Sequence, residues 1–294
     1  MPTTNNNHPQ RLLVTGASGY IGHHVCRLLR SRGVEVHALC REGSDLRGLE
    51  VHRHESDGSL ASVNAVFAEA HPTGVIHLAS MIKPDPAPHE VAAMIEANIT
   101  FGSHLIEAMV RHGCPSFVNA GTYFEFDAAG NYCPASLYAA SKRAFADLLE
   151  EACLHRGIGG ITLIIFDVYG PADWRGKLLP ALIAASKTST PVKMSPGEQL
   201  LDLVHVEDVA RAFEIAARQT RVGRHERFGI DSGHRQSLRA VVETLEAGLG
   251  RAIPAQFGAL AYRSNQIMSP VANLPRLSGW SGRPFQASVV STLE

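Results

Sequence analysis

The stretch TGASGYIG, residues 15–22, constrains this chain more than any other. Leu12 to Val14 form a short apolar run that ends at glycine, the signature of a buried strand. Ile21, Val25, Leu28 and Leu29 then recur at helical spacing until Gly33, and Val34 to Leu39 reads as a second strand. Gly16, Gly19 and Gly22 stand at three-residue intervals in the turn between them. Glycine there permits positive φ and lets the main chain approach a pyrophosphate, which a helix N-terminus attracts. A β-α-β unit of this kind predicts dinucleotide binding.

The alternation continues downstream. Gly74 to Ser80 reads as a strand, and Ile99, Leu105, Ile106 and Met109 mark a helix. SFVNAGT (116–122) is a strand, a helix carrying Tyr138 and Lys142 follows, and GITLIIFDVYG (160–170) reads as one β-branched strand. Strands alternating with helices predict an α/β fold, a Rossmann-type doubly wound parallel sheet. After Gly170, prolines at 171, 180, 191 and 196 cut the chain into shorter pieces. Two helical patterns survive, VEDVARAFEIAARQ and SLRAVVETLEAGLG. We therefore expect a dinucleotide-binding domain over 1–170. Residues 171–294 are expected to form mainly a smaller substrate-binding lobe, partly interleaved with the first and closing over the carboxyl ends of the strands.

Composition excludes several classes. A hydrophobic fraction of 45%, a charged fraction of 19% and a formal net charge of −1 fit a soluble globular protein with no field for nucleic acid or an anionic membrane. No apolar run reaches membrane-spanning length, and the polar N-terminus has no apolar h-region, so it reads as a loose tail. Five scattered cysteines without a CxxC suggest reduced thiols and a cytoplasmic location. Fifteen histidines raise the question of metal. The close sets His23-His24 and His52-Arg-His54 lack an HExxH pattern, so no metal site is expected.

Tyr138 and Lys142 lie four residues apart and so share a helical face. Alone, such a pair is an ordinary aromatic and an ordinary charge. Beside a bound nicotinamide, an ammonium that favours the phenolate would lower the tyrosine pKa from its usual value of about 10 and permit proton exchange. Thr122, at the end of a strand, is by itself as well explained as a turn residue.

GxxGxxG followed downstream by YxxxK resembles the extended short-chain dehydrogenase/reductase family. VIHLAS, ANITFGSHLIEAM, LYAASK, DVYGP and LDLVHVEDVARA occur in the family's order, so the resemblance spans nearly the whole chain. It implies Thr122, Tyr138 and Lys142 as catalytic residues. It also implies a cofactor set of Gly16, Ser18, Gly19, Tyr20, Ile21, Gly22, Arg41, Leu78, Ala79, Ser80, Asn98, Tyr138, Lys142 and Val168. The second strand ends in Cys40-Arg41 rather than an acid, which favours NADP over NAD, because a guanidinium can pair with a 2′-phosphate. NAD stays open, with Arg41 then a solvated loop residue.

Sugar-nucleotide dehydratases of the family carry Asp-Glu directly after the threonine. Here Tyr123-Phe124 stands there and Glu125 is one residue further on, which argues against dehydration. The later segments are similar to nucleotide-sugar 4-ketoreductases of deoxysugar biosynthesis, so the expected reaction is NADPH-dependent reduction of a 4-keto-6-deoxyhexose. The alternatives are a 4-epimerase, a reductase of a non-sugar carbonyl, or a non-catalytic NADP-binding regulator. Leu201 replaces the arginine that binds the substrate diphosphate in many relatives, and Phe101 stands where the helix after Asn98 usually has glycine. Tyr123, Lys83, Arg175, Lys177 and Arg235 are the substrate-binding candidates. The resemblance also implies a homodimer paired through the helices around Leu105 and Tyr138.

Overall fold

The computed structural model describes residues 11–188 and 190–293. The N-terminal segment expected to be a loose tail lies outside them. In chain order the elements are β1 (Arg11–Thr15), α1 (Tyr20–Ser31), β2 (Glu35–Cys40), β3 (His52–Glu55), α2 (Leu60–Ala70), β4 (Gly74–His77) and α3 (Val91–Ile95). They continue with α4 (Phe101–His112), β5 (Ser116–Thr122), α5 (Leu137–His155), β6 (Gly159–Ile165), β7 (Asp167–Tyr169) and α6 (Leu178–Thr188). The last third contributes β8 (Val192–Lys193), β9 (Leu200–His205), α7 (Val206–Gln219), β10 (His225–Ile230), β11 (Arg235–Ser237) and α8 (Leu238–Leu249).

Seven strands form one parallel sheet in the order β10-β6-β5-β4-β1-β2-β3. This is the predicted Rossmann-like α/β architecture. Its central strands read as apolar runs because helices cover both faces. One face packs Val25, Cys26 and Leu29 of α1 against Val209, Phe213 and Ala216 of α7 over Leu12 and Val14. The other packs Val63 and Phe67 of α2, Leu105 and Met109 of α4, and Phe145 and Leu149 of α5 over Leu13, Val75 and Phe117. A third cluster joins Leu179 and Leu182 of α6 to Val241 and Leu245 of α8. The late strand β10 returns to the first sheet beside β6, and α7 returns to its α1 face.

The single strand expected over 160–170 is two. β6 ends at Ile165, and β7 leaves the sheet to pair with β9, which in turn pairs with β11. The turn at Phe166 carries the chain out over the carboxyl ends of the parallel strands. Between α3 and α4 the helix widens into a π-turn over Glu96–Thr100, which turns Asn98 inward to full burial. The glycine of close packing in α4 is Gly102: a Cβ there would meet the Phe145 ring at 2.3 Å. Phe101 beside it lines the crevice described next.

Candidate active site

A crevice of about 1250 Å³ runs along the carboxyl ends of β1, β2, β4, β5 and β6. That exceeds the roughly 300–1,000 Å³ of ordinary ligand pockets and leaves room for a dinucleotide beside a second ligand. One end is built from the glycine turn. Gly16 has φ +72°, and a Cβ there would meet the Ala79 nitrogen at 2.7 Å. A Cβ on Gly22 would meet the Gly16 carbonyl oxygen at 2.1 Å. The turn therefore packs flush against the end of β4 only with glycine at both places. No side chain caps α1, and its first turn holds no acid. Its leading N–H groups are available to an anion in the crevice.

Cys40, Arg41 and Ser44 line the wall at the end of β2. Arg41 is exposed, and its side chain makes no hydrogen bond or ion pair among the described residues. Ser56, Asp57 and Gly58, just beyond β3, line the same end. Hydrogen bonds from Ser62 and Ser59 hold the Asp57 carboxyl down at about 2. Sequence reasoning missed Asp57, because the edge strand before it, His52–Glu55, carries no apolar pattern that would mark its end.

The other end gathers Thr122, Tyr138 and Lys142 on the crevice lining. Thr122 closes β5 and caps the short turn Tyr123–Glu125, its hydroxyl oxygen accepting the Phe124 N–H at 3.4 Å. Ser136 caps α5 by accepting the Ala139 N–H at 3.2 Å, which sets Tyr138 in the first turn and Lys142 one turn later. Burial leaves 8% of Tyr138 and 1% of Lys142 exposed.

The electrostatics differ from the expectation. Burial, reinforced by the Glu125 charge, pushes the Tyr138 hydroxyl up to about 12, while interactions with Thr122 and Ser80 pull the other way. The Lys142 ammonium is not what sets it. Burial also pushes Lys142 down to about 8, opposed by Glu125. The Lys142 Nζ has no hydrogen-bond partner among the described residues. A buried ammonium without acceptors is costly, so this atom calls for the hydroxyls of a ligand. That orphan, the uncapped helix and the glycine cradle all fit a nicotinamide dinucleotide.

Asn98 stands behind this wall rather than on it. Its side-chain oxygen accepts the Ser80 hydroxyl at 2.9 Å and the Met81 N–H at 2.7 Å. Its amide donates to the Met81 carbonyl at 3.1 Å and the Ser141 hydroxyl at 2.9 Å. Glu125, fully buried, accepts the Thr122 N–H at 3.1 Å and pairs with Arg227. Burial raises its carboxyl despite that guanidinium.

Ser18, Gly19, Tyr20, Ile21, Leu78, Ala79, Ser80, Val168 and Tyr123 all line the crevice, and the Tyr123 hydroxyl donates to Asp167 at 3.0 Å. Arg175 and Lys177 line it too. Arg175 is already engaged: it chelates Asp173 with two 2.7 Å bonds, donates to the Val168 carbonyl at 2.8 Å, and lies 4.3 Å over the Tyr20 ring. Lys83 and Arg235 are not among the lining residues. Lys83 pairs with Glu90, and Arg235 donates to the Val271 carbonyl at 2.6 Å. Lys83 is thus held by a nearby carboxylate, and Arg235, on β11, by a main-chain carbonyl 36 residues further along the chain.

The family model for the NAD dependent epimerase/dehydratase family matches residues 12–230. The chain belongs to this family. It is accordingly an enzyme of the extended short-chain dehydrogenase/reductases, whose cofactors are nicotinamide dinucleotides. CDP-abequose synthase of Salmonella typhimurium is 27% identical over 286 residues, covering 93% of each chain. The dTDP-glucose 4,6-dehydratase of Neisseria meningitidis is 28% identical, over 90% of this chain and 83% of that one. The solved structure of MoeE5 in complex with UDP-glucose and NAD superposes with a TM-score of 0.84 at 26% identity, covering 96% of both chains. No helix among the described residues is long and apolar enough to cross a membrane.

Proposed function

We propose that this family member is an NADPH-dependent ketoreductase acting on a nucleotide-activated 4-keto-6-deoxyhexose. The observation that carries the reading is the placement of Thr122, Tyr138 and the orphaned Lys142 on one crevice wall, with Arg41 at the far end. The similarity to CDP-abequose synthase supports the deoxysugar substrate. The exposed Arg41, in a position where an acid would repel a 2′-phosphate, supports NADP.

A bound nicotinamide supplies the hydride to the sugar carbonyl. Thr122 donates a hydrogen bond to the carbonyl oxygen as negative charge grows there. Tyr138 gives its proton to that oxygen. A hydroxyl held near 12 is fully protonated at neutral pH, which suits a proton donor in the reductive direction. Lys142 donates to the ribose hydroxyls and, once engaged, stabilises the phenolate left on Tyr138. Glu125 supports reduction over dehydration, because its carboxylate is committed to Thr122 and Arg227. Lys177 takes the substrate diphosphate in place of the arginine replaced by Leu201, and Tyr123 borders the sugar.

Residues 1–170 supply most of the cofactor site and 171–294 most of the substrate site in this reading. Val110 of α4 and Leu148 and Leu154 of α5 are exposed, apolar surface that a two-fold partner would cover. Net oxidation of added NADPH by a nucleotide 4-keto-6-deoxyhexose tests the proposal. A 4-epimerase consumes none.

A further inference from the structure

We propose that Glu35, His37 and His52 form a surface site for a divalent late transition-metal ion, zinc above all, that ties the outermost strand of the sheet to its neighbour. The three residues lie on β2 and the edge strand β3, far along the sheet from Thr122 and Tyr138. His37 and His52 are direct partners across the β2–β3 ladder, so their side chains leave the same face. Their rings stack at 4.6 Å with planes 20° apart. Both Nε2 atoms converge on one carboxylate oxygen, Glu35 Oε1, at 3.0 Å from His37 and 3.9 Å from His52. All three ligand atoms lie within 4.8 Å of one another. An ion bound at about 2.0–2.2 Å from each would draw them to roughly 3.3 Å apart in tetrahedral geometry. The His52 side chain, 60% exposed, is free to make that small adjustment.

The surroundings are arranged as a metal's outer shell would be. Arg11, paired with Glu35 across β1–β2, donates from Nε to the other carboxylate oxygen at 3.2 Å and turns Oε1 toward the rings. Behind His37, its Nδ1 meets His54 Nε2 at 2.8 Å, and His54 Nδ1 meets Glu69 at 3.5 Å. Glu35, His37 and His54 are thus joined by two hydrogen bonds, and the His54–Glu69 approach is an ion-pair contact at the surface. His54 Nε2 can accept from His37 Nδ1–H, the tautomer that leaves the His37 Nε2 lone pair for a metal.

With an ion bound, His37 donates Nδ1–H to His54 Nε2 and keeps its Nε2 lone pair for the metal. Without one, a His37 Nε2–H donated to Glu35 accounts for that contact but not for His52, which is stacked on the same ring and aims its own Nε2 at the same oxygen. Two imidazoles and one carboxylate select zinc and its neighbours over calcium or magnesium.

The test uses the full chain, stripped with a chelator, in titrations with Co²⁺ read by visible absorption and Zn²⁺ read by calorimetry. One saturable equivalent per chain is expected, with d–d bands of a low-coordinate site. Zn²⁺ at about a hundredfold over its Kd should raise the melting temperature by about 3–8 °C. Both His52→Ala and Glu35→Gln, exposed positions outside the crevice, should weaken binding at least tenfold and erase that shift while leaving NADPH binding intact. No saturable uptake, meaning a cluster satisfied by protons only, overturns the site. So does binding that neither variant alters.

Discussion

The side-chain amide of Asn98 donates to the Ser141 hydroxyl at 2.9 Å, across 43 residues of sequence. That bond joins the π-turn after α3 to the helix that carries Tyr138 and Lys142. Ser141 in turn donates to the Tyr138 carbonyl at 2.7 Å. All four hydrogen-bonding positions of the Asn98 amide are filled, so it holds the end of β4 and the start of α5 in one register.

Asn98→Ala removes these bonds and leaves buried partners on both sides. The chain should lose about 2–4 kcal/mol of stability. kcat should fall more than the cofactor's Kd rises, because Asn98 positions Tyr138 without lining the crevice. Thermal unfolding alongside steady-state kinetics checks both parts.

Tyr138→Phe deletes the proposed proton donor and little else. Turnover should fall by about 10²–10⁴-fold, with cofactor affinity changed by no more than about threefold. Fluorescence titration of NADPH and initial-rate kinetics separate the two quantities.

Arg41→Ala should weaken NADPH binding by about tenfold and leave NADH binding nearly unchanged, as expected for loss of one charge-assisted contact to a 2′-phosphate. Equal effects on the two cofactors would assign Arg41 to the solvated loop and favour NAD.

Lys142 gives a pH dependence with a definite sign. Its folded-state pKa of about 8 lies below the usual lysine value, so the group loses its proton in the native state first. Activity should decline as pH rises through about 8, as the ammonium needed at the ribose disappears. Stability moves the opposite way: between about 8 and the unfolded value near 10.5 the unfolded chain binds more protons, so this group's contribution rises with pH. Lys142→Met should flatten both trends. By removing an unpartnered buried charge it should also raise stability by about 1–3 kcal/mol while abolishing turnover.

The glycine turn, the alternating apolar strands and the helices over Tyr20–Ser31 and Val206–Gln219 were legible because local periodicity and burial agree there. β3 was not. Its sequence His-Arg-His-Glu has no apolar alternation, and an edge strand with only His54 buried needs none. The break at Phe166 was also hidden, since Ile161 to Tyr169 reads as one strand-forming run and only the tertiary switch to β9 separates β6 from β7. At the site, the spacing of Tyr138 and Lys142 placed them on one wall. It did not show that burial and Glu125 dominate the tyrosine, because Glu125 arrives through a cap on Thr122 and a partner, Arg227, about a hundred residues away. The charges Lys83 and Arg235 were indistinguishable by sequence from Lys177, and only their folded partners, Glu90 and the Val271 carbonyl, separate them. The histidines were counted but not related, because His37 meets His52 and His54 only through the β2–β3 register.

The most direct test of the central claim is the stoichiometry of NADPH oxidised to sugar converted, with nucleotide 4-keto-6-deoxyhexoses offered in turn and deuterated NADPH as the reductant. The account predicts one NADPH consumed per sugar, with the deuterium carried to C4 of the product. Conversion of a nucleotide sugar without net NADPH oxidation would contradict it and assign the site to epimerisation.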